Sequence, residues 1–226
     1  MWVRSRGATQ NGDPILDYVR WVMVHKSDPQ SPMPNVAPPV LQAAVPASDL
    51  VVPAGLDFSQ YDFELAGEPY VFEDYEIGEC LDHIDGMCVE EAEHQIATRL
   101  YQNTAKVHFN LHEQAAGRFG RRLIYGGVAI SLARALSFNG LANAQLMLAI
   151  NAGKHVNPLF AGDTVFAWSQ ILDKTQIAPR VGALRVRLVA TKNHPCADFP
   201  GREPSDKPHP AVILDFDYWV AIPSRA

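Results

Sequence analysis

The alternation of apolar and polar positions divides the chain into a strand, a proline-rich stretch and a long patterned region. "PILDYVRWVMVH", residues 14–25, is rich in Ile, Val, Tyr and Trp, follows the turn-like "QNGDP" and stops before Lys26. That pattern predicts one β-strand. Residues 27–55, "SDPQSPMPNVAPPVLQAAVPASDLVVPAG", carry much of the chain's proline and predict an extended linker without a core of its own. The aromatic residues of "LDFSQYDFELAGEPYVFEDYEIGE" are expected to pin this linker onto a neighbouring surface.

From about Cys80 the pattern becomes that of a folded unit. "HIDGMCV" reads as a short strand. "EEAEHQIATRLYQ" has Ala92, Ile96 and Leu100 at helical spacing, with Glu90 and Glu91 favourable near a helix N-terminus. "GGVAISLARALSFNGL" predicts the principal helix: Val128, Leu132, Ala135 and Leu136 share a stripe, glycines stand at its start, and Asn139-Gly140 supplies a stop. Four strand-like runs follow, "LMLAINAGKHVN", "DTVFAWSQILDKT", "ALRVRLVATKN" and "AVILDFDYWVAI", separated by Gly, Pro and Asn. One long helix followed by long antiparallel strands is an α+β layout with a curved sheet wrapped on the helix, the description of a hotdog fold.

The first strand is written again at the other end of the chain. Ile15, Leu16, Asp17, Trp21 and Val22 match Ile213, Leu214, Asp215, Trp219 and Val220 in order.

Composition narrows the possibilities. The chain has 226 residues, 47% of them hydrophobic, enough for a sizeable core, and a formal net charge of −6 with scattered basic residues gives no electrostatic case for nucleic acid. Cys80, Cys88 and Cys196 are odd in number and lack C-x-x-C spacing, so neither a disulfide framework nor a zinc site is indicated. No apolar run approaches the roughly 20 residues of a membrane span. "MWVRSRGATQNGD" lacks a signal-peptide core, so a cytoplasmic protein without membrane association is expected.

Five blocks carry a resemblance: "FEDYEIGE", "VEEAEHQIATRLYQNTAKVHFN", "GRFGRRLIYGGVAISLARALSFNGLANAQ", "FAGDTVFAWSQILDK" and "LDFDYWV". Together they resemble the mesaconyl-CoA hydratase, or β-methylmalyl-CoA dehydratase, branch of the MaoC-like dehydratases, over nearly the whole chain. The resemblance implies a tandem of two hotdog repeats, each ending in a strand of the repeated kind. Residues 1–26 are then the C-terminal strand remnant of a first repeat, 27–69 a proline-rich linker and 70–226 the second repeat, with most of the first half absent.

Hydrating an enoyl thioester requires a water activated at the β-carbon, a proton for the α-carbon and stabilisation of charge on the thioester oxygen. MaoC-like hydratases meet this with D-x-N-P-x-H and a following H-G at the start of the central helix. On that motif "NTAKVH" puts Asn103 at the Asp position and His108 at the His position, with Ala105 and Lys106 replacing Asn and Pro. An amide accepts no proton near neutrality, although its carbonyl oxygen can hold a water, so His108 is the expected acid/base. A helix cap is the competing reading for Asn103, and a surface or structural histidine that for His108. In a diacid substrate the attacked carbon bears a carboxylate, which could orient water in place of the missing Asp.

"IYGG" puts Tyr125 and Gly126 around the usual His-Gly and Gly127 at the helix start, where backbone N–H groups suit an oxyanion; a plain tight turn is the alternative. Arg118, Arg121, Arg122, Lys106 and Arg99 are candidates for coenzyme A phosphates and a substrate carboxylate, against the reading of a solvated cluster, and Arg134 for a structural ion pair. The resemblance implies reversible hydration of mesaconyl-CoA (2-methylfumaryl-CoA) to β-methylmalyl-CoA by a hydro-lyase without metal or redox cofactor, coenzyme A being part of the substrate. A catalytically silent acyl-CoA-binding partner half and a hotdog thioesterase are the alternatives. A lone hotdog leaves a sheet edge and apolar surface uncovered, so a homodimer, or pairing with a first-repeat hotdog, is expected.

Overall fold

The computed structural model describes residues 1–24, 26–201 and 207–225, and the chain forms two compact units, Met1–Gln42 and Ala43–Ala226. In the first unit, β1 (Trp2–Ala8) and β2 (Pro14–Trp21) make an antiparallel hairpin in which Trp2 faces Trp21 and Arg4 faces Val19. Gly12, at φ 91°, supplies the left-handed residue of the connecting turn, and the Thr9 N–H donates to the Asp13 carbonyl across it at 2.8 Å. The predicted strand thus ends at Trp21 rather than at residue 25, and His25 lies outside the described residues. The following proline-rich stretch of this unit holds no regular element among the described residues, as its lack of free N–H groups and apolar periodicity dictates.

The second unit contains α1 (Phe63–Ala66), β3 (Cys80–Asp82), β4 (Met87–Cys88), α2 (Glu91–Leu100), α3 (Lys106–Phe109), α4 (Leu111–Ala115), α5 (Gly126–Leu136) and α6 (Phe138–Leu141). Four long strands follow: β5 (Leu146–His155), β6 (Thr164–Ala178), β7 (Val181–Lys192) and β8 (Val212–Pro223). They form an antiparallel sheet of order β3-β6-β7-β8-β5, with β4 paired to β6. Register shifts in β5 and β6 bend the strands around α5.

Val128, Leu132 and Leu136 of α5 pack with Leu184, Val186 and Leu188 of β7 and Phe216, Tyr218 and Val220 of β8 in one core. Removing these side chains from water is the main stabilising term. The intervening strand residues carry the other face, where Arg185 pairs with Asp217 and Arg187 with Asp215. That face is closed by backbone carbonyls: the Trp168 indole N–H donates to Pro200 and that of Trp219 to Val45, each at 3.0 Å. Coverage of both faces explains why β7 and β8 are buried almost along their whole length.

Three local expectations are corrected. In α2 the apolar residues Ala92, Ile96 and Leu100 face outward, and His94 and Thr98 are buried instead. Both buried side chains are hydrogen-bonded, which makes this orientation tolerable. Ala135 is exposed, and Ala129 and Ala133 complete the buried stripe of α5. "HIDGMCV" is not one strand: β3 ends at Asp82 and β4 begins at Met87, because Ile84 takes a φ of 60° and the Asp85 N–H turns back to the His83 carbonyl at 2.6 Å, while the His83 ring is held by Asn139 O (2.7 Å) and Ser169 Oγ (2.8 Å). The aromatic anchors behave as expected, with the Tyr61 hydroxyl donating to Asn143 and the Tyr75 hydroxyl to the Gly140 carbonyl, each at 2.8 Å.

Candidate active site

The loop between α2 and α5 is tied at every turn. The Asn103 N–H returns to the Thr98 carbonyl (2.9 Å) and the Gln102 N–H to Arg99 (3.1 Å), with Gln102 at φ 50°. This pairing closes the helix end in the Schellman manner. The Asn103 side-chain oxygen then accepts the Ala105 N–H at 2.9 Å, leading the chain into α3. The capping geometry and an available second lone pair therefore coexist at Asn103.

His108 is half-buried on α3. Its Nδ1 lies 2.9 Å from the Leu123 carbonyl, which can only accept. Nδ1 therefore carries the proton in the neutral ring and Nε2 is left with a free lone pair, the arrangement of a general base. The peptide of Leu123 is held from both sides, since its N–H donates to Val107 O at 3.1 Å. The His108 carbonyl accepts from Gln95 at 3.0 Å, so α2 also steadies α3.

The turn into α5 follows at once. The Ile124 N–H donates to Leu159 O at 3.0 Å and the Tyr125 N–H to His94 Nε2 at 2.9 Å. His94 is 1% exposed, and burial, reinforced by His108 and Arg122, pushes its pKa down to about 4. It is neutral near pH 7 and can accept that hydrogen bond. Tyr125, the N-cap, lies with its ring centroid 5.7 Å from that of His108, and His94 meets His108 edge-on at 6.3 Å.

Gly126 and Gly127 open α5, and no acceptor among the described residues receives their N–H groups. A side chain at either position would have to displace a neighbouring ring. A Cβ on Gly127 would stand 2.8 Å from the Tyr125 ring, and one on Gly126 would collide with the imidazole of His155, meeting Cε1 at 2.7 Å. Two free N–H groups at the positive end of an eleven-residue helix, beside a histidine with an open Nε2, form a site where an oxygen can gain negative charge while a proton is removed.

The basic candidates are distributed around this site. Lys106 pairs with Glu113 at 2.9 Å on the surface. Arg122 is engaged by Glu91 and by the Phe109 carbonyl (3.4 Å), with its Nε buried and unpaired among the described residues. Arg121 lies over Phe160 at 3.8 Å, Arg118 over Phe119 at 5.1 Å, and Arg99 is exposed in the last turn of α2. Arg134 forms no ion pair among the described residues; it donates to Ser137, Tyr218 and the Ala144 carbonyl at the opposite end of α5. Sequence reasoning did not single out His94 or His155. His94 stands on the polar stripe of its helix, where burial is not expected, and His155 reaches Gly126 only through the return of β5.

No group of three or more His, Cys, Asp or Glu side chains placed to hold a metal occurs among the described residues, and none of their helices is long and apolar enough to cross a membrane. A central helix wrapped by a bent antiparallel sheet, with its N-terminus beside a histidine, defines an α+β hotdog protein. The resemblance to the mesaconyl-CoA hydratase and β-methylmalyl-CoA dehydratase branch holds along the whole chain. The sequence is 56% identical over 227 residues to the β-methylmalyl-CoA dehydratase of Chloroflexus aurantiacus, covering 100% of this chain and 64% of that protein. It is 58% identical over 224 residues to the mesaconyl-CoA hydratase of Cereibacter sphaeroides, covering 99% and 64%. A crystal structure of a MaoC domain protein dehydratase from Chloroflexus aurantiacus superposes with a TM-score of 0.92 at 56% identity, over 100% of this chain and 65% of that one. A double-hotdog protein from Mycobacterium tuberculosis shares the fold at a TM-score of 0.65 and 22% identity, over 99% and 62%. The chain thus spans just under two thirds of the length of the relatives it matches. No protein-family profile matches it.

Proposed function

We propose that this chain carries the active centre of a hydro-lyase that reversibly hydrates mesaconyl-CoA to β-methylmalyl-CoA. The observation that carries the reading is the Nδ1–H of His108 held by the Leu123 carbonyl, which leaves Nε2 without a partner among the described residues on a ring 5.7 Å from that of Tyr125, the N-cap of the helix that Gly126 and Gly127 open. In the forward direction water oxygen bonds to the β-carbon and its proton passes to His108 Nε2. The electron pair of the double bond moves toward the thioester, whose oxygen is stabilised by the two glycine N–H groups and the helix dipole behind them. His108 Nε2 then gives that proton to the α-carbon as the electron pair returns from the thioester oxygen, which restores the neutral imidazole, and the thioester C–S bond stays intact. Asn103 would hold the water through its remaining lone pair, and Tyr125, Arg121, Arg122, Lys106 and Arg99 would line the acyl-CoA path. Nothing in this scheme calls on a metal or redox cofactor.

The domain organisation belongs to the same proposal: 1–26 as the closing hairpin of a first hotdog repeat, 27–69 as a linker and 70–226 as the second repeat. Its support is a matching ion pair. Arg4 grips Asp17 through Nε (2.8 Å) and a terminal nitrogen (2.7 Å), as Arg187 grips Asp215 (2.9 and 2.7 Å). The registers agree too, Arg4 facing Val19 two residues beyond Asp17 and Arg187 facing Asp217 two beyond Asp215. A cytoplasmic protein pairing with itself or with a first-repeat hotdog completes the reading.

The test incubates the purified chain with mesaconyl-CoA and follows enoyl absorbance and free thiol together. Loss of absorbance without thiol release, abolished in His108→Ala, is the expected result. Thiol release would point to a thioesterase. No change in either signal from a folded protein would favour a silent acyl-CoA-binding half, a reading to which the capping role of the Asn103 oxygen lends weight.

A further inference from the structure

A dicarboxylic thioester brings a charged carboxylate to the carbon that water attacks, beside His108, and the groups able to receive it there are few. His94 is buried with Nε2 committed to Tyr125. Lys106 is paired with Glu113, Arg122 is held at its terminal nitrogens by Glu91 and Phe109 with Nε left unpaired among the described residues, and Arg121 is laid over Phe160. Lys154 neighbours His155 on β5, and alternation along the strand directs it to the opposite face. His155 is the imidazole that lies directly on the α5 N-terminus. Its imidazole lies against Gly126 at the first turn of α5, where an added Cβ would strike the ring. It is close enough to His108 for the two charges to interact. Neither ring nitrogen has a hydrogen-bond partner among the described residues.

We infer that His155 is the specificity residue of this site: its imidazole receives the free carboxylate of a dicarboxylic enoyl thioester. This rests on the hydratase reading and names the feature of the substrate that the site selects. Gly126 at the α5 N-terminus lies against the ring, and His108 is the charged group that acts on it. Partial desolvation against the helix, with a smaller push from His108, lowers the pKa of the imidazole from its ordinary value, while part of the residue stays open to solvent. An incoming carboxylate reverses that balance, and the ring takes up a proton as the ligand binds. The helix N-terminus attracts the same anion. The diacid is thereby held with its carboxylate near His155 and its β-carbon toward His108.

The test compares wild type, His155→Gln and His155→Phe on mesaconyl-CoA and on tiglyl-CoA, in which a methyl group replaces the carboxylate. Tiglyl-CoA serves as substrate or as competing ligand. For mesaconyl-CoA kcat/KM should fall about 10- to 100-fold in both variants, the range expected for losing a hydrogen bond to a charged group. Handling of tiglyl-CoA should be unchanged or improved. A second readout does not depend on turnover: by NMR with labelled histidine, the His155 pKa should rise when mesaconyl-CoA is bound and stay in place with tiglyl-CoA. Equal losses on both thioesters, or a His155 titration indifferent to mesaconyl-CoA, would overturn the inference. A wild-type chain that hydrates neither thioester while His155 still responds to the diacid would instead count against the hydratase reading alone.

Discussion

At the scale of single residues the site is organised by which histidine nitrogen is spent and which is free. The Leu123 carbonyl consumes the proton of His108 Nδ1, and the Tyr125 N–H consumes the lone pair of His94 Nε2. One imidazole thereby keeps an unshared lone pair on Nε2, as the proposed acid/base role requires, and the other is fixed as a neutral support. The support has a measurable pH signature. His94 has a folded pKa near 4 against an ordinary value of 6.5. Between those values the unfolded chain binds more protons than the folded one. Stability is therefore intact above about pH 6.5 and falls as pH drops toward 4, by up to about 3 kcal/mol from this residue. Urea denaturation of wild type and His94→Gln at a series of pH values checks this, because a glutamine oxygen can accept the Tyr125 N–H without titrating. The variant should show a shallower decline. His83 and His155, whose pKa values are also lowered, leave part of the decline in place.

At the scale of elements, the same strand sequence meets two environments. Ile15, Leu16 and Trp21 of β2 are 69%, 53% and 59% exposed, whereas Ile213, Leu214 and Trp219 of β8 are at most 2% exposed. The matching ion pairs should differ in strength accordingly. Arg187–Asp215 is mostly shielded, with 24% and 35% side-chain exposure, and Arg4–Asp17 is open, with 57% and 44%. Removing one partner from the shielded pair strands the other in a poorly solvated place. Asp215→Ala is expected to destabilise its unit by about 1–3 kcal/mol, and Asp17→Ala, in a solvent-screened pair, to leave the urea midpoint essentially unchanged. The urea midpoints of the two variants give the comparison. Helix α2 shows a related effect: its amphipathic stripe is real, and the face turned inward is the polar one, because His94 and Thr98 find partners there.

At the scale of the whole molecule, the second unit leaves apolar surface that its own sheet does not cover. Strand β5 pairs with β8 on one side and, among the described residues, with nothing on the other. It carries Leu146 and Ile150 at 40% and 58% exposure, and Ile96 on α2 is 57% exposed. An open edge with apolar side chains invites pairing with another chain. Sedimentation of the purified protein should give the mass of a dimer, and Leu146→Lys combined with Ile150→Lys should give a monomer with an unchanged far-UV spectrum. A monomeric wild type would remove the homodimer from the proposed assembly and leave pairing with a first-repeat hotdog.

By itself the sequence determined the main elements and their type: the period-two runs became β5 to β8, the glycine pair and apolar stripe became α5, and the repeated "ILD" and Trp residues became strands with the same cross-strand ion pair. These features are local, so propensity and periodicity report them directly. His108, Gly126 and Gly127 could be proposed together from the sequence because they lie close in the chain, on either side of one loop. Only the tertiary structure decided which face of α2 is buried, which proton His108 carries, and that His155 rests on Gly126. Each of these depends on a partner brought near by the return of a distant strand or loop. Side-chain pattern records how much of an element is buried, while the identity of the neighbour is set by packing between segments far apart in sequence.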